Sequence, residues 1–113
     1  MNDCETQRNE LICCTTTVGS VDDANRIATA LIDQSVAACV QIDAPMQSHY
    51  QWQGKRCCDT EYRLTIKSTR AAWADLERAI QEVHPYDEPQ IIAMPVIEVS
   101  EGYAAWVRQS TGG

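Results

Sequence analysis

The chain has 113 residues, 44% hydrophobic and 22% charged, with nine Lys and Arg against sixteen Asp and Glu for a formal net charge of −7. A chain of that size and composition folds around one core, which excludes a two-domain enzyme and a disordered polymer. The acidic balance excludes a general nucleic-acid binder, because affinity for a phosphate backbone comes from cations that release counterions.

Residues 1–9 are polar and are expected to form a disordered extension ahead of a single domain over 10–113. Leu11 to Val18 is apolar and β-branched, as a central strand would be, and Gly19 breaks it. Ser20 followed three residues later by Asp23 starts a helix, in which Ala24, Ile27, Ala28, Leu31 and Ile32 recur at helical spacing.

From Val36 the period changes to two. Val36, Ala38, Val40, Ile42 and Ala44 alternate with more polar residues, and Met46, Ser48, Tyr50 and Trp52 keep the same even parity beyond Pro45. The sequence therefore predicts one long strand with a bend at Pro45, its facing unchanged. Gln53-Gly54 forms a tight turn, and the return strand places Tyr62, Leu64 and Ile66 on one face and Glu61, Arg63, Thr65 and Lys67 on the other. Each arm, about 14 residues at roughly 3.3 Å, reaches about 45 Å. A compact domain with a radius of gyration of about 13 Å is only about 35 Å across. The hairpin should overhang its own domain, and its unpaired edges predict a homo-oligomer.

Ser68 or Thr69 caps a second helix with Trp73, Leu76, Ile80 and Val83 on its apolar stripe, and Pro85 ends it at His84. His84-Pro85-Tyr86-Asp87-Glu88-Pro89 is a rigid turn, since two prolines fix φ and restrict the residues before them. Gln90 to Val99 reads as an edge strand because it contains Pro95, and Ser100 opens a short last helix packing Tyr103, Trp106 and Val107. The order β-α-β-β-α-β with a terminal helix is the split βαβ arrangement of the α+β, ferredoxin-like fold.

The six cysteines are Cys4, Cys13, Cys14, Cys39, Cys57 and Cys58. The N-terminal residues carry no apolar signal-peptide core, and no stretch approaches the length of a membrane helix, so the expected setting is cytoplasmic with reduced thiols and no membrane partner. Adjacent cysteines on a strand point to opposite faces, so neither doublet is a two-thiolate pincer, and no C-x-x-C occurs. No nucleotide-binding glycine loop, zincin or hydrolase elbow is present.

Chemistry then falls to a few residues. His49 lies on the hairpin face opposite Met46 and Tyr50 and reads as a surface or interface side chain. His84 ends a helix, where an imidazolium complements the macrodipole, and the flanking prolines also suit it to a ligand role. Cys14 with His84 is a borderline-soft pair suited to copper or zinc, and two ligands make an open or shared site. In the split βαβ order the end of the first strand is expected at the opposite end of the sheet from the end of the second helix, so the pair is not guaranteed within one chain, although packing between subunits or the mid-strand place of Cys14 would bring the two close. Asp87 and Glu88 beside His84 read first as a solvated turn and second as a supplementary set of oxygen donors. Trp52, Trp73 and Trp106 read as core or interface anchors.

An ordered set of these residues resembles the CutA divalent-cation tolerance proteins across nearly the whole chain. It comprises Cys14-Thr15, Ala37-Ala38-Cys39, Tyr50-x-Trp52-x-Gly54-Lys55, Glu61 with Leu64 and Lys67, His84-Pro85-Tyr86-x-x-Pro89, and Tyr103-x-x-Trp106. The resemblance implies a homotrimer shaped like PII signalling proteins, with hairpins pairing between subunits. It also implies a role in tolerance to divalent cations, with copper held through Cys14 and His84 and no obligatory cofactor. Val83 stands where some members have a second histidine and Gln90 where Pro-Glu is usual, which implies weaker metal affinity here. Three functions are compatible with the residues: a non-enzymatic metal-binding trimer; a PII-like module whose clefts, lined by Glu61, Lys67, His84 and Tyr86, take a small effector or protein partner; and an enzyme with Cys14 as nucleophile, for which no orienting group is visible.

Overall fold

The computed structural model describes residues 7–112. Strand β1 (Leu11–Val18) leads through Gly19 into helix α1 (Val21–Asp33), where the Ser20 side chain accepts a hydrogen bond from the Asp23 backbone N–H at 3.1 Å. That satisfies one of the helix's free N-terminal donors. Strands β2 (Cys39–Ile42) and β3 (Met46–Trp52) both pair with the long return strand β4 (Lys55–Thr69). Thr69 caps a single 3₁₀ turn over Arg70–Ala72, which runs into helix α2 (Trp73–Val83). Ser68, the other expected cap, is fully buried and donates its hydroxyl to the Val36 carbonyl at 2.7 Å. Strand β5 (Ile92–Pro95) and helix α3 (Glu101–Ser110) complete the chain.

The sheet order is β2-β4-β1-β5, with β3 extending the pairing along β4, and every adjacent pair is antiparallel. Counting β2 and β3 as one interrupted strand gives the ferredoxin-like topology. Even-numbered residues of β1 and β4 (Ile12, Cys14, Val18, Leu64, Ile66) meet Ala24, Ile27 and Leu31 of α1 and Leu76, Ala79 and Ile80 of α2 in one buried cluster. On the other face α3 covers one end of the sheet, where Leu11 packs with Ala104 and Val107.

Four expectations need correction. Pro45 does reset the pattern: Ile42 pairs with Leu64 but Met46 pairs with Glu61, so three residues on one strand face two on the other. This is a one-residue bulge, and it turns the whole of β3 over relative to β2. The last strand is shorter than Gln90 to Val99: after a bond of 3.0 Å from the Val96 N–H to the Leu11 carbonyl it runs past the start of β1 and has no partner strand left to pair with. Residues 7–9, expected to be disordered, have helical backbone and are tied to α3 by a bond of 2.9 Å from Arg108 to the Asn9 carbonyl; residues 1–6, including Cys4, lie outside the described residues. Tyr103 and Trp106 face outward, 38% and 45% exposed, so α3 is anchored by Ala104 and Val107.

The overhang is present. The molecule measures 49 × 26 × 24 Å, and β3 is exposed or half-exposed throughout. At the tip Gln53 and Gly54 both take positive φ, 53° and 78°, the mirror-image turn that matches the twist of a two-residue hairpin.

Candidate functional site

Pro85 stops α2 and leaves His84 extended (φ −75°, ψ 134°), which lays its ring against the end of β1. His84 Nε2 donates to the Thr17 carbonyl at 2.9 Å, and Nδ1 accepts from the Tyr86 backbone N–H at 3.1 Å. A carbonyl only accepts and an amide N–H only donates, so the ring is the neutral Nε2–H tautomer. Burial holds its pKa below the usual histidine value, against an opposing contribution from the Thr17 bond.

The same bond places Tyr86, whose ring lies 4.9 Å from that of His84 and whose hydroxyl donates to Glu61 Oε2 at 2.7 Å. Glu61 is only 8% exposed. Burial first, and then the Glu61 carboxylate, push the Tyr86 phenol up, so it stays protonated and donating at neutral pH.

The bulge supplies the other wall. Because it turns β3 over, Ser48, Tyr50 and Trp52 share a face with Glu61. With Tyr86, Asp87 and Glu88 they line an open cleft of about 530 Å³. Tyr50 donates across the ribbon to Asp59, which pushes its pKa up to about 12. Gln90 closes the segment onto β1 with a 3.3 Å bond to Thr15 Oγ1. Carboxylates beside three aromatic faces suit a cation, hydrated or with an apolar body.

Of the residues singled out from sequence, Glu61, Tyr86 and His84 are brought together. Lys67 is not: it lies six residues further along β4, about 20 Å away at strand rise, where its ammonium donates to Gln41 Oε1 at 3.0 Å. Cys14 is fully buried on the helix-covered face, paired in register with Ile66 and Ala93, and burial pushes its thiol up to about 12. The end of α2 and the end of β1 lie at the same end of the sheet, contrary to the sequence reading, because β5 runs antiparallel to β1. Proximity to Thr17 still gives His84 no access to Cys14, whose side chain points into the core. The sequence reads Trp52 as a core or interface anchor and gives Tyr50 no site of its own; the signal for their place in the cleft is the extra residue around Pro45.

Residues 12–110 match the family described as CutA1 divalent ion tolerance protein. Among curated relatives, the divalent-cation tolerance protein CutA of Thermus thermophilus is 40% identical over 96 residues, covering 85% of this chain and 93% of that protein. Human protein CutA is 36% identical over 88 residues, covering 78% of this chain and 49% of its own length, so the chain spans about half of that relative. Among solved structures, CutA1 from a psychrotrophic Shewanella superposes with a TM-score of 0.88 at 35% identity, covering 92% of this chain and 97% of that one. The Thermus thermophilus structure gives 0.87 at 37% identity, covering 90% and 99%.

Proposed function

The chain belongs to the CutA1 divalent ion tolerance family, and on that footing we propose that it is a non-catalytic, self-associating protein that takes a divalent cation reversibly into the cleft between hairpin and segment 84–90. The observation that carries this is the Tyr86–Glu61 hydrogen bond, which fixes a nearly buried carboxylate at the wall of a cleft holding two more. Among the described residues no three His, Cys, Asp or Glu side chains converge into a ready cage. A resident structural ion therefore does not fit, whereas a hydrated ion held by one or two carboxylates and exchanging with solvent does. His84 could join only by giving up the Nδ1 bond to Tyr86, and Cys14 stays a buried thiol. That same thiol is too weakly acidic to serve as a nucleophile near neutral pH, which supports a non-enzymatic role.

Copper, the ion the resemblance points to, is the first to test. With Cys57 and Cys58 replaced by serine so that thiols do not reduce the ion, Cu(II) titration should show Glu61→Gln binding about tenfold more weakly, a difference of about 1.4 kcal/mol. Cys14→Ser should bind like its parent. Superimposable isotherms for Glu61→Gln and its parent would remove the cleft as the site.

Self-association is supported by the projecting ribbon and by apolar side chains along the opposite edge strand and the segment after it, including Ile92, Met94 and Ile97, which are 51%, 55% and 85% exposed. We take the assembly to be a homotrimer. Light scattering should then give about three times the 12.6 kDa chain mass, and a monomer at micromolar concentration would end this part of the reading. The five described cysteines are all free thiols, which supports a reducing, cytoplasmic setting. A second reading, a PII-like effector site, is favoured by the aromatic rings of Tyr50, Trp52 and Tyr86 around the carboxylates, which would select a small organic cation.

A further inference from the structure

The other face of the ribbon carries a different chemistry. His49 and Cys58 are directly opposite each other in the β3–β4 register, and both are exposed. Counting back from the two-residue turn, Trp52 and Lys55 form a hydrogen-bonded pair, so His49 and Cys58 form a non-hydrogen-bonded pair, the kind whose side chains approach most closely. Cys58 Sγ lies 3.6 Å from His49 Nε2.

That distance is informative. With metal–sulfur and metal–nitrogen bonds of about 2.3 and 2.0–2.1 Å, a tetrahedral angle at the ion separates the two donors by about 3.5–3.6 Å. A right angle would need about 3.1 Å and a linear ion about 4.3 Å at the same bond lengths. The side chains thus already stand at a tetrahedral bite, without rearrangement of the ribbon. Gln51 and Arg56 occupy the next pair on this face and line the same hollow of about 470 Å³. Cys57 points to the other face, with its sulfur 3.8 Å from the Lys55 carbonyl.

We infer that His49 and Cys58 form a two-ligand site for a borderline-soft divalent ion of the zinc class, on the ribbon face away from the cleft. The ion takes the place of the proton shared between Sγ and Nε2, that proton leaves to solvent, and two coordination positions stay open to water or an incoming donor. His49 also borders the cleft, but Cys58 does not, so a thiolate signature distinguishes this site from the oxygen donors of the cleft.

Co(II) is the probe, because a cobalt–thiolate bond has a charge-transfer absorption in the near ultraviolet and tetrahedral cobalt absorbs strongly in the visible. Titrated into the reduced, full-length protein, Co(II) should raise both bands. Cys58→Ser should lose the charge-transfer band, and His49→Ala should shift half-saturation upward by at least about tenfold, since even outer ligand partners are worth 10–100-fold in affinity. Cys57→Ser and Glu61→Gln should titrate like wild type. The inference is overturned if wild type shows no thiolate band, if the band survives in Cys58→Ser, or if Glu61→Gln abolishes it. Failure there leaves the copper titration of the cleft untouched, because that experiment is done with Cys58 already replaced.

Discussion

Leu64→Ala is expected to destabilise each chain by about 2–5 kcal/mol, the range for truncating a fully buried leucine that leaves a cavity behind. Leu64 is 0% exposed and sits on the central strand β4, directly opposite Thr16 of β1 and Ile42 of β2, beneath both helices. It is boxed by elements that cannot collapse together, since each is held by its own ladder or helix. Total stability of such a domain is about 5–15 kcal/mol, so the variant should lose a large part of it. Urea denaturation monitored by tryptophan fluorescence measures the change. A loss under about 1 kcal/mol would mean that the two helices do not close over β4 as described.

His84→Ala should act on both stability and the cleft. Removing the ring deletes its bonds to Thr17 and Tyr86 and leaves partly buried backbone groups to find water, an effect of about 1–3 kcal/mol. It also frees Tyr86 from the constraint that aims its hydroxyl at Glu61, so cation affinity should fall together with stability. The pH dependence separates this from a loss of packing alone. The folded pKa of His84 is lowered from its ordinary 6.5, chiefly by burial. Its contribution is therefore complete above pH 6.5 and is lost as pH falls through the lower folded value, because protonation puts a hydrogen on Nδ1 facing the Tyr86 N–H. Wild type should show this acid-side decline and His84→Ala should lack it; parallel stability curves for the two would refute the assigned tautomer.

Much of the fold was legible because it rests on local signals. The Leu11–Val18 strand, the Ser20 cap, the Gln53-Gly54 turn and the stop at His84 each follow from a local preference: β-branched side chains, a capping hydroxyl, a glycine that tolerates positive φ, and a proline that cannot continue a helix. The cleft was only half legible. Glu61, Tyr86 and His84 could be named from their setting, but their meeting depends on β5 lying antiparallel to β1, a long-range pairing that periodicity does not encode. Lys67 shares a strand face with Glu61 and was grouped with it on that ground; alternation gives the facing of a residue and says nothing of its distance along the strand. Cys14 looked chemically promising because cysteine serves equally as a ligand and as a small core side chain, and only its 0% exposure decides between them. Trp106 shows the same ambiguity in reverse, an aromatic at helical spacing that faces outward.

The extra residue between Ile42 and Met46 sets the phase of everything beyond it. Remove one residue from positions 43–45 and no side chain of the ribbon changes, yet β3 rolls by half a turn against β4. Tyr50 and Trp52 would then leave Glu61, and His49 would leave Cys58. What the ribbon offers on each side is thus stored as a number of residues as much as in their identities. A comparison of related chains that scores substitutions but passes over a single-residue gap at this point would miss the change that matters most there.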